Sequence, residues 1–91
     1  MIPAEDKFIV LWRQGNGRNV RWQDLLNFLG RYPKYFEGQQ RGIKLMVKVA
    51  GSSGYAFSFK FENPAPDKHI PQNYVNGFIR QLYREGVLRD E

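Results

Sequence analysis

The chain contains no cysteine in its 91 residues. That excludes a disulfide framework, a thiolate zinc site and a cysteine nucleophile. It has one histidine, His69, so no site can be assembled from several imidazoles, and no metal is expected. Long apolar runs are missing as well. The longest, Phe8 to Trp12, falls far short of the roughly 20 residues that span a bilayer. No basic-then-apolar leader precedes a cleavage site, so the expected location is cytoplasmic, with no membrane partner. Length is also scarce. A chain this short buries only roughly 60–65% of its unfolded surface and builds one core. The expected organisation is a single domain, 1–91, without a separate cofactor domain and with no cofactor.

What is present is an ordinary globular balance, 42% hydrophobic and 25% charged, with aromatics at 15%. The net charge of +5 favours acidic partners, nucleic acid first.

The N-terminal run Phe8-Ile9-Val10-Leu11-Trp12 is β-prone, but its borders favour a helix. Pro3 suits a first helical position, Glu5 and Asp6 suit the positive first turn, and Gly15 suits the C-terminal end. Gly15-Asn16-Gly17 forms a turn. Asn19 then caps a second helix from Val20 to about Leu29, with Leu25, Leu29 and Tyr32 as its seam and Trp22 and Leu26 beside it. Gly30 and Pro33 end it.

Tyr35 and Phe36 start a short strand before a turn at Glu37-Gly38-Gln39-Gln40. Beyond it, Ile43, Leu45, Val47 and Val49 alternate with Lys44, Met46, Lys48 and Ala50, the period of a half-buried strand. Tyr55, Phe57, Phe59 and Phe61 alternate in the same way with Ala56, Ser58, Lys60 and Glu62. Directly paired residues share a face, so Val49 must oppose Phe57 and Val47 must oppose Phe59. That register sets Lys44 against Glu62 and Met46 against Lys60. It also sets Gly51 against Tyr55, leaving Ser52-Ser53-Gly54 as a three-residue loop. A proline-marked loop, Asn63 to Ile70, leads to a last helix from Pro71 to about Glu85. Its apolar stripe is Tyr74, Val75, Phe78, Ile79 and Leu82. The expected fold is α+β, a three-stranded antiparallel sheet with helices on one face and an extra N-terminal helix at 1–15.

Between positions 13 and 44 there are seven cations against two carboxylates, which accounts for the whole net charge. Arg18 and Arg21 flank the start of the second helix, where free backbone N–H groups favour anions. The outer face of the hairpin carries Lys44, Lys48 and Lys60 around Met46 and Ser58. Lysine there also serves solubility and edge protection. Because the aromatics occupy the opposite face, stacking of bases on this sheet is not expected. Trp12 and Trp22 are read as packing residues, and Gly15-x-Gly17-Arg18 as an ordinary turn rather than a phosphate loop. Arg80 and Arg84 belong to a solvated mixed-charge face. His69 is the one side chain suited to acid–base work near neutral pH, and no carboxylate is placed by sequence to orient it, although Asp67 is close.

At Val20-Arg21-Trp22-Gln23-Asp24-Leu25 the chain resembles the HicA family of toxin–antitoxin ribonucleases, some of whose members open their first helix with aromatic-x-Asp-Leu/Ile. The resemblance continues through Phe36-Glu37-Gly38 and Gly42, and closes with Arg80-Gln81-Leu82 and Glu85-Gly86-Val87. It covers 19–88. It implies a fold similar to small double-stranded-RNA-binding domains, an RNA partner and a partner antitoxin. The family's Gly-Ser-His signature, which carries its catalytic histidine, is matched here by Gly42-Ile43-Lys44. Lysine at its ordinary pKa is a poor general base, and His69 does not fall on the motif. The expectation is therefore a non-catalytic domain that binds double-stranded or structured RNA through Arg18, Arg21, Arg41, Lys44, Lys48 and Lys60. The alternatives are a protein-interaction module for an acidic partner, and an mRNA interferase using Lys44 or His69.

Overall fold

The computed structural model describes residues 2–51, 56–62 and 69–88. Its elements are α1 (Lys7–Gly15), α2 (Trp22–Arg31), β1 (Phe36–Arg41), β2 (Lys44–Ala50), β3 (Ala56–Glu62) and α3 (Gln72–Arg84). The three strands form one antiparallel sheet in the order β1-β2-β3. The fold is α+β, as expected. Among the described residues no helix is long and apolar enough to cross a membrane.

The sheet's inner face carries Leu45, Val47, Val49 and Phe61, all buried. Phe78 of α3 lies 5.4 Å from Phe59 and 5.1 Å from Phe61, and Phe28 of α2 lies 5.3 Å from Phe36. These offset and edge-on pairs add to the area that the rings bury. α1 packs on the helical layer rather than on the sheet. Its Phe8 stacks on Phe28 at 4.4 Å, and its Trp12 indole N–H donates to Asn76 of α3 at 2.7 Å. The N-terminal helix thus shares the core, with Ile9 fully buried.

The β2–β3 register is the expected one: Val49 opposes Phe57, Val47 opposes Phe59, Lys44 opposes Glu62 and Met46 opposes Lys60. The expected loop at Ser52-Ser53-Gly54, with Tyr55, lies outside the described residues. So does most of the proline-marked loop, 63–68, with Asp67.

Several boundaries differ from expectation. α1 begins at Lys7 rather than Pro3, because the Asp6 carboxylate accepts the Phe8 N–H at 2.8 Å and acts as the N-cap. Its C-cap is Asn16, not Gly15, in the left-handed region at φ 54°. α2 begins at Trp22, not Val20. The Val20 carbonyl is committed to the Ile70 N–H at 2.8 Å, and Asp24 reaches back to the Arg21 N–H at 3.0 Å in place of a cap from Asn19. Gly30 does not stop this helix, which runs to Arg31 and buries Phe28 beside Leu25 and Leu29.

The largest correction concerns Glu37-Gly38-Gln39-Gln40, which is strand and not turn. The chain reverses instead at Gly42-Ile43, between the paired residues Arg41 and Lys44. Gly42 takes φ +59°, at the first position of a two-residue hairpin loop where positive φ is required. Ile43 therefore leaves the apolar face of β2 and stands 49% exposed. Only Phe36 of β1 is buried, so the rest of this strand lacks a helical cover on its inner side.

Candidate functional site

Alternation along three paired strands decides what the open face of the sheet presents. With Leu45, Val47 and Val49 turned to the helices, Lys44, Met46 and Lys48 must point outward. Cross-strand pairing adds the neighbours on each side. One row across the face is Arg41, Lys44 and Glu62, the next is Gln39, Met46 and Lys60, and the third is Glu37, Lys48 and Ser58. Gln39, Arg41, Lys44, Met46 and Lys60 line a shallow depression of about 400 Å³.

Four of the six expected binding residues, Arg41, Lys44, Lys48 and Lys60, thus share one face and are all exposed. The Lys60 ammonium stands 3.6 Å from Glu62, in a solvent-exposed pair of small energetic consequence. Arg41 and Lys44 lie directly opposite each other, an arrangement of like charges that costs stability. The two carboxylates of the face, Glu37 and Glu62, sit at opposite corners, and the cations run between them. Met46, 38% exposed, is the apolar centre. No aromatic joins this face among the described residues.

The other two residues are placed elsewhere. Arg18 follows α1 in the turn, its N–H donated to the Gly15 carbonyl at 3.0 Å. Arg21 precedes α2 in the helical layer, paired through its backbone with His69. Both side chains are exposed, but they belong to a separate surface from the sheet cations. Asp24, on the Arg21 N–H, occupies part of the anion-attracting helix start. His69 therefore sits beside Arg21, whereas Lys44 sits between Arg41 and Glu62. The two candidate groups for nuclease chemistry are assigned to different parts of the fold.

Gln39 joins this site although nothing in its own segment points there. That segment carries no apolar period, because β1 runs beyond the helices. The available signal is Gly42-Ile43, a glycine-first pair that marks a hairpin turn between Arg41 and Lys44.

The shifted titrations lie away from this face. Asp6, side chain 4% exposed, accepts Arg31 at 2.7 and 3.1 Å, the Tyr32 hydroxyl, and the Phe8 N–H. Burial pushes its carboxyl up, but these donors and the Arg31 charge outweigh burial and hold it below the ordinary value. Burial and the bond to Asp6 together raise Tyr32. This cluster fastens the start of α1 to the end of α2. A groove of about 510 Å³ between those helices is lined by Phe8, Val10 and Leu11 with Asp24 and Arg31, both already engaged. Among the described residues no three acidic or histidine side chains converge to hold a metal ion.

No family model, characterised protein or solved structure matches the chain.

Proposed function

We propose that this domain binds RNA by its phosphate backbone, through the open face of the sheet and without catalysis. The observation that carries this reading is the placement of Arg41, Lys44, Lys48 and Lys60 on one uncovered face around a shallow depression. Long exposed cations of this kind neutralise phosphates and release counterions, giving affinity that depends steeply on salt and little on sequence. The face has no aromatic platform among the described residues, so double-stranded or structured RNA fits better than splayed single strands. The likeness to HicA proteins supports the same polymer, and Lys44 at the position of their histidine supports binding without cleavage. Arg18 and Arg21 form a second contact surface in this reading.

The test compares two variants in an anisotropy titration with labelled duplex RNA. Removing Arg41, Lys44 and Lys60 together by alanine substitution should lower affinity by about ten-fold or more. The salt slope should flatten by roughly 0.9 for each phosphate that is no longer neutralised. Replacing Arg18 and Arg21 should do less. If the triple variant binds as the unaltered protein does, the sheet face is not the site.

A protein-interaction role has one observation in its favour: Met46 and Ile43 are exposed apolar side chains near the cations. An acidic protein partner, such as an antitoxin, would use them. A complex from nuclease-treated lysate that survives Lys44→Ala but not Met46→Asp would support that role over RNA.

A further inference from the structure

The sheet ends on β1 with nothing paired to its outer edge among the described residues. Such an edge is a template for another strand unless something blunts it. Phe36–Arg41 contains no lysine and no proline, and its two charges, Glu37 and Arg41, are of opposite sign, whereas the opposite edge strand carries Lys60 near its middle. We propose that β1 pairs with β1 of a second copy of this chain, antiparallel and about a two-fold axis at Gln39, joining two three-stranded sheets into one.

The register follows from the side chains. Directly opposed residues must share a face, which limits a symmetric pairing to axes centred on a residue. Of these, the axis at Gln39 sets Glu37 against Arg41 of the other copy, twice, and Gln39 against its own equivalent. Axes at Gly38 or Gln40 set neither charge against its opposite. Within one chain Arg41 faces Lys44 and has no carboxylate partner among the described residues, and Glu37 is likewise in no ion pair there. The second copy supplies the missing opposite charge to both, and the contact is isologous as a two-fold requires. The same axis brings exposed Ile43 towards Tyr35 of the other copy.

The backbone is compatible. Main-chain bonding alternates along an antiparallel pair, and the two residues that close a two-residue hairpin loop, here Arg41 and Lys44, are a bonded pair. Arg41, Gln39 and Glu37 then direct their main-chain groups towards β2, and the Tyr35 carbonyl does the same by accepting the Ala50 N–H at 2.9 Å. Gly38 and Gln40 are left with N–H and C=O directed outward. In the proposed register they oppose each other across the axis and can exchange both bonds. One short strand buries less than a standard interface, so association is expected at about tens to hundreds of micromolar.

Strand pairing is measured without RNA, so its failure and that of the RNA reading are separable. If both hold, the paired sheet carries two sets of Lys44, Lys48 and Lys60 on one continuous face, and RNA binding gains from the second set.

The experiment is sedimentation equilibrium on the full chain at low salt, with circular dichroism as the control for folding. The unaltered protein should rise from the monomer mass towards twice that mass across about 5–500 µM. Gln40→Pro, which removes an outward N–H and leaves the β2 ladder in place, should stay monomeric. Glu37→Arg and Arg41→Glu should each stay monomeric alone, while an equimolar mixture associates because every cross-axis pair is again opposite in charge. A monomer mass for the unaltered protein throughout, or a mixture that associates no better than its components, would overturn the proposal. So would a folded Gln40→Pro variant that pairs normally.

Discussion

Removing the Asp6 carboxylate should weaken the fold by an amount its contacts define. The group caps α1 through the Phe8 N–H and receives Arg31 and Tyr32 from the far end of α2. A missing N-cap costs about 1 kcal/mol, and a hydrogen bond to a charged group contributes about 1.5–3 kcal/mol net. Arg31 keeps 30% of its side chain in solvent, so it rehydrates when its partner is gone and the second figure falls to its lower end. Asp6→Ala should therefore cost about 2–3 kcal/mol, or a fall in Tm of about 10–20 °C for a domain of this size. Asparagine caps nearly as well as aspartate, so Asp6→Asn isolates the charge and should cost about 1–2 kcal/mol. The pH dependence carries a sign. The folded carboxyl titrates below its unfolded value, so its stabilisation is complete above about pH 3.9 and lost as pH falls through the folded pKa. Urea melts at several pH values, followed by circular dichroism, should show acid weakening that is shallower in Asp6→Asn. An Asp6→Ala variant within about 0.5 kcal/mol of the unaltered protein, the range of an inert surface change, would refute the reasoning. An unchanged acid slope would do the same.

Two glycines should respond with opposite signs. A Cβ at Gly30 meets nothing within 4 Å and the position is helical, so Gly30→Ala should stabilise by about 0.5–1 kcal/mol. At Gly17, φ is +89° and a Cβ would collide with the Asn76 amide oxygen, so Gly17→Ala should cost about 2 kcal/mol or more. Melting temperatures decide both. Trp12→Phe and Asn76→Ala should each cost about 1 kcal/mol through their shared 2.7 Å hydrogen bond, and a double-mutant cycle should show a coupling of about 0.5 kcal/mol or more. Strictly additive losses would mean that the bond is not formed in solution. His69→Ala should leave RNA affinity unchanged, since the imidazole is not part of the sheet face; a ten-fold loss in the same titration would move the site to the Arg21 surface.

The β2–β3 hairpin is legible in the sequence because its strands alternate strictly, with one face of Leu45, Val47 and Val49 and another of lysines. A one-residue slip would put Lys48 or Ser58 among the rings. The stripe of α3 is legible for the same reason at helical period. β1 is not, because a strand that buries only Phe36 shows no period, and Glu37-Gly38-Gln39-Gln40 has the composition of a turn. Phe28 completes the i, i+3, i+4, i+7 stripe of Leu25, Leu29 and Tyr32, and in space it joins Phe8, Tyr32 and Phe36. The role of Asp6 depends on Arg31, 25 residues away, and no local pattern announces it. The candidate site shows the same division. Lys44, Lys48 and Lys60 follow from alternation, and Arg41 joins them only once β1 is known to pair. Arg18 and Arg21 share a charge-rich stretch of sequence with Arg41 and Lys44, and the fold assigns that stretch to two surfaces.

The central claim is that the cations on the open sheet face hold an RNA backbone. Its most direct test is a titration of labelled duplex RNA with the unaltered protein at two salt concentrations, about 50 and 200 mM. Four phosphate contacts predict saturable binding that weakens about a hundred-fold between the two. Absence of binding at the lower salt, or an affinity that does not change with salt, would contradict the account.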